Sequence, residues 1–91
     1  MWILKSDDST FRLRPGAVRT VGRAPRADFI VDAALVSRLH CRLTAADDHV
    51  EVVDLKSTNG TYVNGKRVTK AHVSKGDTLR VGRVELTLTL G

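Results

Sequence analysis

The chain has 91 residues, 42% of them hydrophobic, and 15 Lys and Arg against 10 Asp and Glu give a net charge of +5. That length suits one compact domain, residues 1–91, and the apolar fraction allows a packed core, which excludes a disordered chain. No apolar run is long enough to cross a bilayer as a helix, and the positive balance points to an anionic partner, although mixed charge of both signs also serves plain solubility.

From the start, Met1–Lys5 is too short and wrongly flanked for a secretion signal, and Trp2-Ile3-Leu4-Lys5 reads as a strand. Asp7-Asp8-Ser9 is a turn, Phe11 to Leu13 resumes a strand, and Pro15-Gly16 is a second turn. Ala17 to Gly22 follows as a strand, with Val18 and Thr20 on one face. Pro25 breaks the chain, and Asp28 to Val31 is a brief strand. Asp32 could cap a short helix over Asp32–Val36, but so few residues precede the next strand that a loop is expected. From His40 to Thr44 the pattern alternates, with Cys41 and Leu43 on one face and His40, Arg42 and Thr44 on the other.

Cys41 is the only cysteine, so it has no disulfide or zinc partner, and it fits a reducing, cytoplasmic setting. Ala46 to His49 is a hairpin turn, and Val50 to Leu55 is a strand. Asn59-Gly60 and Asn64-Gly65 are turn dipeptides that enclose a three-residue strand, Thr61-Tyr62-Val63. Lys66, Arg67, Lys70 and Lys75, together with Lys56, read as a solvated basic surface. After the Gly76-Asp77 turn, Thr78 to Val81 and Val84 to Leu90 form a last hairpin around Gly82-Arg83. About ten short strands separated by turns, with no helical period, indicate an all-β sandwich or barrel.

In such a fold the strands are buried and the loops carry the chemistry. Three strand-end segments stand out: Gly22-Arg23, Ser37-Arg38-Leu39-His40 and Ser57-Thr58-Asn59-Gly60. Together they offer two guanidinium groups, three hydroxyls and an amide, with no carboxylate among them; Asp54 is the nearest. Arginine forks match phosphate geometry, and hydroxyl or N–H donors fill the remaining acceptors, so the set suits a tetrahedral oxyanion.

These motifs, with Asp54-x-x-Ser57-Thr58-Asn59-Gly60-Thr61-x-Val63-Asn64-Gly65 and the trailing Gly76-Asp77-x-Leu79-x-Val81-Gly82, resemble the signature of the forkhead-associated (FHA) domain over almost the whole chain. The resemblance implies an FHA-like β-sandwich of about eleven short, mostly antiparallel strands that binds phosphothreonine peptides through loops at one end. It implies that Arg23 and Ser37 contact the phosphate and that Arg38 assists. Ser57, Thr58 and Asn59 would complete the peptide-binding set, with Thr58 shaping the pocket for the threonine methyl and Asn59 holding the peptide backbone. Gly22, His40, Gly60 and Asn64 would support the loops. The partner implied is a phosphothreonine-containing protein, the substrate of a Ser/Thr kinase. No cofactor, metal, nucleic acid or membrane is implied.

Other readings fit less well. Gly60-x-x-x-x-Gly65-Lys66 is nearly a nucleotide phosphate loop, but Arg67 follows where a Ser or Thr should bind magnesium. Ser37 and His40 could be nucleophile and base, yet no oxyanion motif accompanies them. A basic nucleic-acid-binding barrel would present aromatic platforms, and Trp2, Phe11, Phe29 and Tyr62 are scattered. A phosphate-independent docking or self-association module on the same fold is a further alternative.

Overall fold

The computed structural model describes residues 1–91, which form eleven strands and no helix. In chain order these are β1 (Trp2–Lys5), β2 (Thr10–Leu13), β3 (Val18–Gly22), β4 (Phe29–Ile30), β5 (Cys41–Ala45), β6 (Val50–Asp54), β7 (Thr61–Val63), β8 (Lys66–Val68), β9 (Lys70–Val73), β10 (Thr78–Val81) and β11 (Val84–Leu90). They make two sheets, one ordered β2-β1-β11-β10-β7-β8 and the other β4-β3-β5-β6-β9. Every pairing is antiparallel except β3 with β4. The molecule is a sandwich with open edges, not a closed barrel.

Period-two alternation sets the two faces. In β11, Leu86 and Leu88 are fully buried while Glu85, Thr87 and Thr89 are exposed. In β5, Cys41 and Leu43 face the core and Arg42 faces water. Leu4, Leu13, Val21, Val50, Val52, Val73, Leu79 and Val81 complete the shared core. Trp2 is buried too, and its indole N–H donates to Ala46 O at 2.7 Å. Phe29 is only half-buried; it stacks on Phe11 across the sheets, with ring centroids 4.6 Å apart, and closes one side of the core. The segment at 32–36 is a loop with turn hydrogen bonds, as its length required.

Strands β8 and β9 depart from the expectation of a featureless basic surface. Each lies at the edge of its sheet, where Lys66, Arg67 and Lys70 stand in water. Charged edge strands resist pairing with foreign chains, and their charges hide the apolar alternation that marks interior strands.

Register places the functional loops at one pole. β3 and β6 run toward it, and β5 and β7 start from it, because Val21 pairs with Cys41, Cys41 with Asp54, and Thr61 with Val81. The turn at Ala46–His49 and Trp2 lie at the opposite pole.

Candidate functional site

Three loops meet at the first pole: Arg23–Asp28, Val31–His40 and Leu55–Gly60. The first is closed locally by Thr20 and Asp28, whose side chains exchange hydrogen bonds with each other and with both backbone N–H groups at 2.9–3.2 Å. It is then laid against the second, since Arg23 N–H donates to Ser37 O at 3.0 Å and Ala24 N–H to Arg38 O at 3.1 Å. The Arg23 side chain follows the same path, its Nε donating to Val36 O at 3.1 Å. That bond orients the guanidinium and leaves its two terminal nitrogens for a ligand.

Gly22 makes this approach possible. A Cβ there would lie 1.9 Å from Arg38 O and 2.7 Å from its carbonyl carbon, so no larger residue fits.

Ser37 joins the second loop to the third. Its Oγ accepts from Thr58 N–H at 3.1 Å, and its own N–H donates to His40 Nδ1 at 3.0 Å. A backbone N–H can only donate, so Nδ1 is unprotonated and the ring proton sits on Nε2. That proton is donated to Gly60 O at 2.8 Å. His40 is fully buried and therefore clamps the two loops from beneath. Alternation assigned it to the outer face of β5, but the loop hydrogen bonds turn it inward. Asn59 adds a clamp from above, with Nδ2 donating to Leu35 O at 3.0 Å.

The third loop is built around Asp54. Its carboxylate accepts from Ser57 N–H at 3.2 Å, from Ser57 Oγ–H at 2.5 Å and from Thr61 Oγ1–H at 2.7 Å. Ser57 Oγ in turn accepts from Gly60 N–H at 3.1 Å. Ser57 is buried and its hydroxyl is engaged on both sides, so its place is beneath the loop and not on the ligand surface where it was expected. The spacing Asp54-x-x-Ser57 is that of a side chain capping a turn, which is the signal that identifies this role. Asn64 supports a different turn from the other three loop-supporting residues. Its amide bonds Asp77 Oδ1 at 3.1 Å and Thr78 N–H at 2.9 Å, which fastens the β7–β8 turn at the pole away from the three loops.

Partial burial pushes the Asp54 carboxyl upward, but the hydrogen bonds from Ser57 and Thr61 and the nearby His40 outweigh it and hold the group below its ordinary value. A depressed carboxyl stabilises the fold above its unfolded value near about 3.9, and that stability is lost as pH falls through the lower folded value. Asp54→Asn should therefore cost about 1–3 kcal/mol at neutral pH, because two hydroxyls and an N–H lose a charged acceptor. It should also flatten the acid dependence below about pH 4. Melting scans from neutral pH to about pH 3 check both. Cys41 lies beside this group, and burial first, then the Asp54 charge, push its thiol up to about 12, which makes it inert.

The site is thus a joined surface bearing exposed Arg23, Arg38, Thr58 and Asn59 and half-buried Ser37, with exposed Lys56 at its margin. None of its cations is neutralised: the ion pairs of the molecule are His49–Asp48, Lys70–Glu51 and His72–Glu51, all on other elements. Residues 19–82, which contain all three loops, match the FHA domain family. This chain belongs to the FHA family.

Among curated relatives, the ABC transporter ATP-binding/permease protein Rv1747 of Mycobacterium tuberculosis is 40% identical over 91 residues, all of this chain and 10% of that protein. The glycogen accumulation regulator GarA of the same species is 36% identical over 75 residues, 82% of this chain and 46% of GarA. The oxoglutarate dehydrogenase inhibitor of Corynebacterium diphtheriae is 39% identical over 72 residues, 79% of this chain and 50% of the inhibitor. The chain spans half or less of the length of each. Among solved structures, an FHA domain studied for phosphothreonine-dependent interactions superposes with a TM-score of 0.89 at 32% identity, covering 99% of this chain and 96% of that one. The FhaA FHA domain, solved with the intracellular domain of Rv3910, gives 0.88 at 33% identity, covering 97% of this chain and 99% of that one.

Proposed function

We propose that the three-loop pole of this FHA domain binds a phosphothreonine on a partner protein. The observation that carries the reading is the position of Ser37. Its carbonyl accepts from Arg23 N–H, its hydroxyl accepts from Thr58 N–H, and Arg23 Nε donates to the preceding carbonyl, Val36 O, which supports a phosphate site shared by the Arg23 fork, the Ser37 hydroxyl and the Thr58 loop. In this reading Arg23 and Ser37 hold the phosphate, Arg38 assists, Thr58 meets the threonine methyl and Asn59 holds the peptide backbone. Gly22, His40, Ser57 and Gly60 keep the loops in place, and residues 1–91 act as one binding module.

The chemistry supports capture over catalysis. Ser37 offers His40 its backbone N–H and not its hydroxyl, and the other ring nitrogen is spent on Gly60 O. A nucleophile and base need the hydroxyl on the ring. Phosphothreonine is close to dianionic at neutral pH, and each charge-assisted bond to it is worth about 1.5–3 kcal/mol. Two such bonds separate a phosphorylated from an unphosphorylated partner. A Ser/Thr kinase would write the mark, and the free thiol of Cys41 fits the reducing cytoplasm.

Titration with matched peptides tests the reading. A phosphothreonine peptide should bind at least about 100-fold tighter than its unphosphorylated form. The phosphoserine form should be weaker by a few-fold or more, because one buried methyl contributes about 0.8 kcal/mol and β-branching also restrains the rotamer. Exposed Leu35, pinned by Asn59, favours an apolar residue downstream of the phosphate. Equal binding with and without phosphate would defeat the proposal.

A further inference from the structure

We propose that Arg67 and Arg80, gathered about Tyr62 on the outer face of the six-stranded sheet, extend the phosphopeptide site and take the carboxylate of an acidic residue flanking the phosphothreonine. This rests on the phosphothreonine reading above. Strands β8, β7 and β10 are neighbours, and register sets Arg67 opposite Tyr62 and Tyr62 opposite Arg80. Thr61, Leu79 and Val81 are buried, so Tyr62 and Arg80 point to the other face. Directly opposed residues of neighbouring strands touch one another.

Arg80 lies over the Tyr62 ring with its Cζ 4.1 Å from the ring centroid. Arg67 reaches toward the site. Its Nε is 2.8 Å and its Cζ 3.1 Å from the point where a Cβ on Gly60 would stand, and Tyr62 Cε1 is 3.2 Å from the same point. The guanidinium therefore rests in the space that Gly60 leaves empty, one residue from Asn59. Strand-end loop and sheet face are continuous there.

Neither arginine has an anionic partner. The three ion pairs involve other residues, and exposed Glu85, opposite Arg80 in the register, makes none of them. Arg80 Nε is buried with no hydrogen-bond partner at all. A buried N–H of a cation is costly to leave unmatched, and the Arg80 guanidinium, braced against the Tyr62 ring, is already oriented for a carboxylate. A peptide backbone advances at most about 3.3–3.6 Å per residue. From a phosphothreonine held by Ser37, Thr58 and Asn59, a side chain about two to four residues away comes within reach of the pair.

The simpler role for Arg67, a solvated charge protecting an edge strand, predicts no dependence on peptide flanks. The test titrates the whole chain with three phosphothreonine peptides: one with neutral flanks, one with Glu residues before the phosphothreonine and one with Glu residues after it. One acidic peptide should bind roughly 3- to 10-fold tighter than the neutral one, the scale of partly exposed ion pairs. Arg67→Gln should remove that gain while leaving affinity for the neutral peptide unchanged. Arg67→Glu should reverse it, so that a Lys-flanked peptide binds better than the Glu-flanked one. Arg67 is exposed, so the melting temperature should hold in both variants. Equal affinity for all three peptides, or a preference that survives Arg67→Gln, overturns the inference and leaves phosphothreonine binding intact. Failure of every phosphopeptide to bind overturns the parent reading, and this one with it.

Discussion

Replacing Arg23 with alanine should weaken phosphothreonine binding by roughly 10- to 150-fold and leave the domain folded. The terminal nitrogens of Arg23 are free, while its Nε is tied to Val36 O, so the side chain is aimed without being consumed. Losing one charge-assisted contact to a dianionic ester costs about 1.5–3 kcal/mol, or roughly 10- to 150-fold in affinity. The Nε bond to Val36 O contributes what an ordinary hydrogen bond does, about 1 kcal/mol, so melting should move by only a few degrees. Arg23→Lys keeps the charge but not the planar fork, and should recover only part of the affinity. Calorimetric titration of both variants measures the effect. Wild-type affinity in Arg23→Ala would mean that the phosphate sits elsewhere.

Gly22→Ala should be the most damaging small change in the chain. The added carbon would sit 1.9 Å from a backbone oxygen, and backbone cannot rotate aside as a side chain can. β3 must then separate from the Ser37–His40 segment, which breaks the bonds from Arg23 N–H to Ser37 O and from Ala24 N–H to Arg38 O. The expected loss is about 2–4 kcal/mol, on the order of 10–25 °C in melting temperature, and phosphopeptide binding goes with it. Trp2 is buried at the far pole, so its emission follows unfolding of the core. A Gly22→Ala domain with wild-type melting would show that the two segments are not packed as described.

The comparison with Gly60 shows what distinguishes the two glycines. Gly60 has a φ of +90°, a region that L residues avoid, but the atoms facing it are the flexible end of Arg67 and the edge of Tyr62. Gly22 is required by a close approach of backbone, and Gly60 by backbone conformation.

Much of the sandwich was legible in the order of residues. β5 alternates throughout, and β6 and β11 alternate over Val50–Val52 and Glu85–Thr89, because each has one face on the core and one toward water. Asn59-Gly60 and Asn64-Gly65 announced turns, and Asn64 does adopt positive φ, at 50°. β8 and β9 were not legible, since edge position exchanges apolar pattern for charge. Among the site residues, local pattern could name the loops but not separate their layers. Ser57 and Thr58 are adjacent and chemically alike, yet one hydroxyl is buried against Asp54 and the other residue is exposed. Asn64 belongs to the family motif but serves the other pole, which only strand direction reveals. Asp54 read as a mere neighbour of the site, and the hydrogen bonds that make it the centre of its loop come from residues up to seven positions away.

The loops are fastened to one another before any ligand arrives: Arg23 to Ser37, Ser37 to Thr58 and His40, His40 to Gly60, Asn59 to Leu35. Little mobility is left to surrender when a partner docks, so the entropic cost of association falls mainly on the incoming peptide. A rigid receptor with few contacts can therefore hold short, unstructured segments from unrelated proteins, and discrimination among them passes to the enzyme that installs the mark and to the residues beside it.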